Sequence, residues 1–471
     1  MRPSRRIGMT AAIMLGGCAV GPDYAPPELD MPAAWPDQAV LDSRSSAALR
    51  EWWRAFGDPV LDDLVDRALD DNLELRIQAA RIEAARARLG LTRAEQLPTV
   101  DLQAEASRQR QPAAAFGLQG FETAPRNLFS LSGLLGYEID LWGRLARERE
   151  AAAADLDASI YAGEAVRLGL IADVVATYAG LRSARRQLEV TERTVAARRE
   201  SLRVQRVRHA AGAIDELELR QSESALADAR AELPMRTQDL RRRESALGIL
   251  LGMPPAALLE AIDIPAGKLE KGAVPAKIPA ALPADLLNRR PDLRAARSEL
   301  RAATAAVGVA EAARFPRLTL SGLIGTEAAD RGELFSSQAE SWRVGAMLDG
   351  PLFDFGRTRA RVASAEARLE AAGLRYRATV AIALREVRDA LAFYASSGQR
   401  LEAVEGQIRA LRRTEELAEI RYEAGYISII ELLDAQRALL AAELARARAL
   451  ADRYVATATL FKALGGGWEA T

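Results

Sequence analysis

The stretch TVAIALREVRDALAFYASSGQRLEAVEGQIRAL, residues 379–411, decides how this chain folds. Apolar side chains recur in heptad steps at Val380, Val387, Tyr394, Leu401 and Ile408. Leu384 and Leu391 fill the intervening three- and four-residue positions, so one narrow seam of a helix is buried. No proline occurs between Gly356 and Tyr422. At ~1.5 Å per residue a helix over that span reaches roughly 100 Å, too long for a compact domain. It closes at Glu423-Ala424-Gly425, where glycine can take the left-handed conformation that ends a helix. Ser428, with Glu431 three residues on, is the N-cap of a return helix running to about Leu464. That arm is only about 54 Å long, so half of the long helix needs another partner.

The same stretch occurs twice. Subtracting 213 from the seam positions lands on Val174, Leu181, Leu188 and Val195, with Ile171 and Tyr178 matching Leu384 and Leu391. The shift also maps Gly356-Arg357 onto Gly143-Arg144, Gly425 onto Gly212 and Gly465 onto Gly252. A constant offset over so long a stretch marks an internal duplication. The 471 residues therefore read as two repeats of one architecture rather than as unrelated domains.

Charge is balanced, 64 basic against 65 acidic residues, so nothing in the composition suggests a nucleic-acid binder. Runs such as Arg241-Arg242-Arg243 read as solvated helix faces. No run of ~18 apolar residues can span a bilayer as a helix. One cysteine, Cys18, rules out an intrachain disulfide and a cysteine metal cluster. The single histidine, His209, stands near a helix end, and no Walker loop, Gly-x-Ser-x-Gly elbow or metal-ligand spacing is present. The expectation is a protein that is not an enzyme and carries no cofactor or metal.

At the N-terminus, Arg2, Arg5 and Arg6 form a basic region, Ile7 to Leu15 an apolar one, and Leu15-Gly16-Gly17-Cys18 closes it. This is similar to a bacterial lipobox, with cleavage before Cys18 and acylation of that residue. Ala19 in the next position implies sorting to the outer membrane. Residues 1–17 are thus a signal peptide, and 18–57 a lipidated, Pro-rich extended segment whose end is pinned by Trp52-Trp53 and Phe56. Repeat 1 covers 58–252 and repeat 2 covers 284–465, joined by a Pro-rich linker at 253–283 and followed by a tail at 466–471. Each repeat opens with a half-length helix. The first is expected from about Pro59 to Gln96, with an apolar stripe Leu61, Leu64, Val65, Ala68, Leu69, Leu73 and Leu75, and the second at about 284–314.

After Leu97-Pro98 and Phe315-Pro316 the period switches from 3.6 to 2. Val100, Leu102, Ala104 and Ala106 alternate with polar residues, as do Phe129, Leu131, Leu135, Tyr137 and Ile139. In repeat 2, Leu318, Leu320 and Ile324 do so, followed by Trp342, Val344, Ala346 and Leu348. Alternation alone fits two half-buried soluble hairpins. Segments of about 9–11 residues, behind an outer-membrane lipidation signal, also fit strands that cross a bilayer. Four strands cannot close a barrel, and an open edge is not tolerated in lipid, so several copies are required. Three give twelve strands, and two give eight, too narrow for a wide duct.

The chain resembles the TolC-type outer-membrane factors, in the lipoprotein branch typified by OprM and NodT-like proteins. The residues that carry the resemblance are Cys18 with Gly21-Pro22-Asp23-Tyr24, Trp52-Trp53 with Phe56-Gly57-Asp58-Pro59, and Leu282-Pro283 with Leu286-Leu287-Asn288-Arg289-Arg290-Pro291-Asp292. Further on come Phe353-Asp354-Phe355-Gly356-Arg357, Arg421-Tyr422-Glu423-Ala424-Gly425, Leu432-Leu433-Asp434-Ala435-Gln436 and Leu464-Gly465-Gly466-Gly467-Trp468. The resemblance implies an α+β membrane protein: a homotrimer with a 12-stranded β-barrel in the outer membrane continuing into an α-helical periplasmic tube. It implies a periplasmic adaptor and an RND-type inner-membrane pump as partners, with the linker in an equatorial belt around the tube. The expected function is a passive exit duct for drugs or other small toxic compounds. A protein-secretion duct and a lipid-anchored coiled-coil scaffold are the alternatives. The turns at Gly212 and Gly425 become the adaptor-docking tips, and Arg421, Tyr422 and Glu423 the gate candidates. Ile427 stands where related lipoproteins carry an acid, which leaves Asp215 and Glu216 as the nearest acids, Asp215 also fitting a simple helix cap.

Overall fold

The computed structural model describes residues 19–35, 41–42, 51–110, 124–259, 278–279 and 283–466. Cys18, the signal segment, Trp468 and most of the linker lie outside these residues. Eight helices are described: α1 Pro59–Asp71, α2 Leu73–Ala94, α3 Arg144–Ala210, α4 Glu216–Leu250, α5 Leu286–Arg289, α6 Pro291–Ala312, α7 Arg357–Glu423 and α8 Ile429–Ala463. The strands are β1 Leu41–Asp42, β2 Thr99–Gln109, β3 Arg126–Ile139, β4 Ile278–Pro279, β5 Arg317–Ala328 and β6 Glu340–Asp349.

The duplication survives at the level of single residues. α3 and α7 each run for 67 residues, α4 and α8 for 35, and each pair starts 213 apart. Upstream of the hairpins the offset is 218 instead, α2 beginning at Leu73 and α6 at Pro291. The difference lies in the connection between the strands, 110–125 in repeat 1 against 329–339 in repeat 2.

The chain divides into two compact units, and each draws on both repeats. One contains residues 82–159 and 296–376 with the segment up to Glu28; it carries the four-stranded sheet, in the order β2-β3-β5-β6, antiparallel throughout. β3 and β5, at 14 and 12 residues, outrun the expected 9–11. They are the inner strands, paired on both sides, whereas β2 and β6 are edges. In the same unit, buried Arg147 donates to the Asp23 carboxylate at 2.7 Å and to Glu150 at 2.8 Å, holding the N-terminal segment against α3.

The second unit contains residues 29–81, 160–295 and 377–471. The α7 seam is buried at Val380, Val387, Tyr394, Leu401 and Ile408, as are Ile171, Val174, Tyr178, Leu181 and Val195 on α3. Trp52 and Phe56 sit in a short 3-10 helix, Trp52–Phe56. Trp52 stacks on Phe461 at 5.1 Å between ring centroids, and Phe56 on Tyr454 at 4.6 Å. Asp58 caps α1 through Val60 N–H and accepts a 2.5 Å hydrogen bond from the Tyr178 hydroxyl. Burial first, then that hydrogen bond, push the Tyr178 phenol well above its ordinary range. The N-terminal segment is extended at Leu41-Asp42, which pairs in parallel with Ile278-Pro279 of the linker, and gives way to the 3-10 helix from Trp52.

The single helix expected over 59–96 is two helices, broken at Asn72. The Asn72 side-chain oxygen accepts from the N–H groups of Glu74 and Leu75, starting α2, while its amide donates to the Leu250 carbonyl at 2.9 Å. The break shifts the helical phase, so the stripe holds at Leu61, Leu64, Val65 and Ala68 and fails at Leu73, which is exposed. Repeat 2 breaks at the matching place, Arg290-Pro291. Buried Arg290 reaches Asp292 at 2.7 Å, Glu386 at 2.6 Å and the Ala463 carbonyl at 3.1 Å. Leu250 and Ala463 are the last residues of α4 and α8. Two unlike side chains therefore satisfy the same orphan carbonyl at the end of each return helix.

Candidate functional site

Two regions carry the residues a channel would use: the faces of the sheet and the turns that join long and return helices.

In an antiparallel pair, directly opposed residues share a face. Leu102 opposes Gly133, Ala104 opposes Leu131 and Ala106 opposes Phe129. Tyr137 opposes Leu320, Ile139 opposes Leu318, and Gly133 opposes Ile324. Ile324 in turn opposes Trp342, Gly322 opposes Val344, and Leu318 opposes Leu348. The four alternating patterns thus fall on one common face. The other face gathers Gln103 with Ser132, Glu105 with Ser130, Glu138 with Thr319, and Ser321 with Gly345, along with the apolar exceptions Leu128, Leu134, Leu323 and Met347. On the apolar face Val100, Leu102, Ile324, Trp342 and Val344 are 74–80% exposed. So large an uncovered apolar surface calls for lipid or protein against it. Among the described residues no helix is long and apolar enough to cross a membrane.

At the turns, both long helices end in the same paired hydrogen bonds. Ala213 N–H donates to Arg208 O and Gly212 N–H to His209 O; Tyr426 N–H donates to Arg421 O and Gly425 N–H to Tyr422 O. This six-to-one and five-to-two pattern needs a left-handed residue, supplied by Gly212 at φ 73° and Gly425 at φ 75°. Tyr422 is buried against Ile429, Leu432 and Leu433, with Ile427 packed on the same cluster. Its hydroxyl donates to Gln205 at 3.2 Å and accepts from Arg208 at 3.3 Å, and the Arg208 guanidinium lies 5.5 Å from the ring centroid. Tyr422 therefore ties the end of α7 to the end of α3.

Arg421 and Glu423 are exposed on either side of Tyr422. Asp215 caps α4, accepting from Glu218 N–H at 2.9 Å, and Glu216 pairs with Arg220 at 3.1 Å. Ser428 and Glu431 form the reciprocal capping box of α8. Gln205 and Arg208 escaped the sequence reading. The repeat offset held the signal, since Arg208 is the repeat-1 counterpart of Arg421.

The model of the outer membrane efflux protein family matches the chain twice, at residues 64–253 and 282–466. This chain belongs to that family. It is 34% identical to the solvent efflux pump outer membrane protein SrpC of Pseudomonas putida, over 99% of this chain and 98% of that protein. It is 36% identical to outer membrane protein OprJ of Pseudomonas aeruginosa, over 97% of this chain and 95% of the relative. Among solved structures, the outer-membrane channel OprN superposes with a TM-score of 0.84 at 33% identity, covering 96% of this chain and all of that one. The CmeC outer membrane channel of Campylobacter jejuni gives 0.88 at 26% identity, with 96% of each chain covered. As an outer membrane efflux protein, the chain is a channel component with the fold of a β-barrel continuing into a helical tube. A barrel of this kind turns an apolar face to the bilayer and a polar one to water.

Proposed function

We propose that three copies of this chain close a 12-stranded barrel and serve as the passive exit duct for drugs or other small toxic compounds. Cargo would be delivered by an RND-type inner-membrane pump through a periplasmic adaptor. The carrying observation is the two-faced sheet whose edges, β2 and β6, pair with no further strand among the described residues. Unpaired backbone groups are costly in hydrocarbon, so the edges must meet those of other copies. Small apolar cargo is supported by full-length relatives described as solvent, toluene and antibiotic efflux pump components. Acylation at Cys18 would add a second membrane attachment to the barrel. In this reading the tips at Gly212 and Gly425 receive the adaptor's helical ends. The gate would draw on Arg421, Tyr422 and Glu423, with Asp215 and Glu216 as the nearest acids; Asp215 also caps α4 and Glu216 pairs with Arg220 at the surface.

Purified protein in planar bilayers should give long-lived single-channel conductance, and unheated samples should migrate as trimers in SDS gels. Deleting the gene should sensitise cells to organic solvents and amphipathic antibiotics. A folded protein without conductance would overturn the duct and leave a periplasmic scaffold.

A further inference from the structure

Trp142, at the turn from β3 into α3, stacks on Phe315 with 4.5 Å between centroids, and its indole N–H donates to the Pro316 carbonyl at 2.8 Å. The outgoing turn of repeat 1 thus grips the incoming turn of repeat 2. Applying the offsets of the duplication, Trp142 corresponds to Phe355, and Phe315-Pro316 to Leu97-Pro98. Among the described residues the outgoing turn of repeat 2 and the incoming turn of repeat 1 make no such contact within the chain. Both halves of the missing contact are bare: Phe355 is 89% exposed and Leu97 64%. Phe353, edge-on to Phe355 at 4.5 Å, is also exposed. Phe355 is moreover the one described non-glycine residue at positive φ, 53°. That is a genuine outlier for a bulky side chain, and one that needs support from its surroundings.

We infer that Phe355 of one protomer packs on Leu97 and Pro98 of the partner subunit, forming an apolar latch below each seam between protomers. The inference rests on the barrel reading above and adds the residues and the register of its seam. The same offsets convert the β2·β3 pair Thr99–Gly136 into the observed β5·β6 pair Arg317–Asp349, which checks them independently. Carrying Leu135 opposite Gly322 across the seam places Leu348 opposite Ala104 of the partner subunit. Both belong to the apolar face, so the seam continues the lipid-facing band without a slip.

A bismaleimide applied to membranes carrying Leu97→Cys with Phe355→Cys should produce a ladder of covalent dimers and trimers in SDS after heating. Gln103→Cys with Asp349→Cys, the seam pair on the polar face to which the same offsets carry the observed Gly136–Ser321 pair, reports the strand seam alone when treated alike, and the parent chain controls for Cys18. Ladders from both pairs support the latch. A ladder from the strand pair but not from the latch pair overturns the latch and leaves the barrel standing. No ladder from either pair overturns the seam itself, and the latch with it. Since cysteines could weaken assembly, Phe355→Ser and Phe355→Trp supply a second reading. Ser should lower the temperature at which the trimer dissociates in SDS by several degrees, and Trp, the side chain of repeat 1, should not. Equal temperatures for Ser and parent would count against the latch.

Discussion

Tyr422 is held by its hydroxyl to two residues of α3, Gln205 and Arg208, and by its ring to the apolar cluster at the start of α8. Tyr422→Phe keeps the ring and removes both hydrogen bonds, each worth ~1 kcal/mol net. Combined with Arg421→Ser, it should raise single-channel conductance and sensitise cells to large antibiotics such as vancomycin, while the protein still assembles. Wild-type conductance from the assembled double variant would move the constriction elsewhere. Arg290 is a residue of the opposite kind, a structural cap rather than a gate. Arg290→Ala should lower stability by about 1–3 kcal/mol, because a buried carbonyl loses its donor. Arg290→Asn, borrowing the side chain that repeat 1 uses at Asn72, should recover part of that loss in thermal denaturation followed by circular dichroism. Capping roles such as Asp215 and Ser428 were legible in sequence because they are local. The donors to Leu250 and Ala463 were not, since the chain separates each pair by more than 170 residues.

The sheet shows how far alternation goes at the scale of elements. Each strand's apolar set was readable from period 2. That the four sets share one face follows only from the register, which the chain pattern does not print. Leu131 lies mid-strand on the apolar face and Ser132 on the polar one. Leu131→Arg should cost ~2–4 kcal/mol near the bilayer midplane and reduce trimer yield, whereas Ser132→Arg should be tolerated and alter conductance. Equal tolerance, or thiol reagents reaching cysteines at both positions alike, would refute the assignment of faces. The long helices were legible end to end, because heptads, absence of proline and closing glycines all agree. The half-length helices were not, because a single asparagine with a distant partner outweighed a continuous helical pattern at Leu73.

For the whole molecule, two membrane attachments are expected, the barrel and the acyl chains on Cys18. Cys18→Ser should abolish incorporation of labelled palmitate while the protein stays with the outer membrane, because the sheet alone holds it in lipid. Undiminished label would remove the lipid anchor from this account, and release to the periplasm would remove the barrel.

Each compact unit takes elements from both repeats, and β3 pairs with β5 across the middle of the chain. The order of synthesis is therefore not the order of completion. When repeat 1 has been made and exported, its strands form an isolated hairpin, and a two-stranded hairpin is marginal in water. Its apolar face and two unpaired edges wait for residues some two hundred positions downstream, and contacts of such long range form slowly. A chain built this way spends its transit through the periplasm exposed to edge-to-edge aggregation. It needs a carrier that shields strands until the last of them arrives.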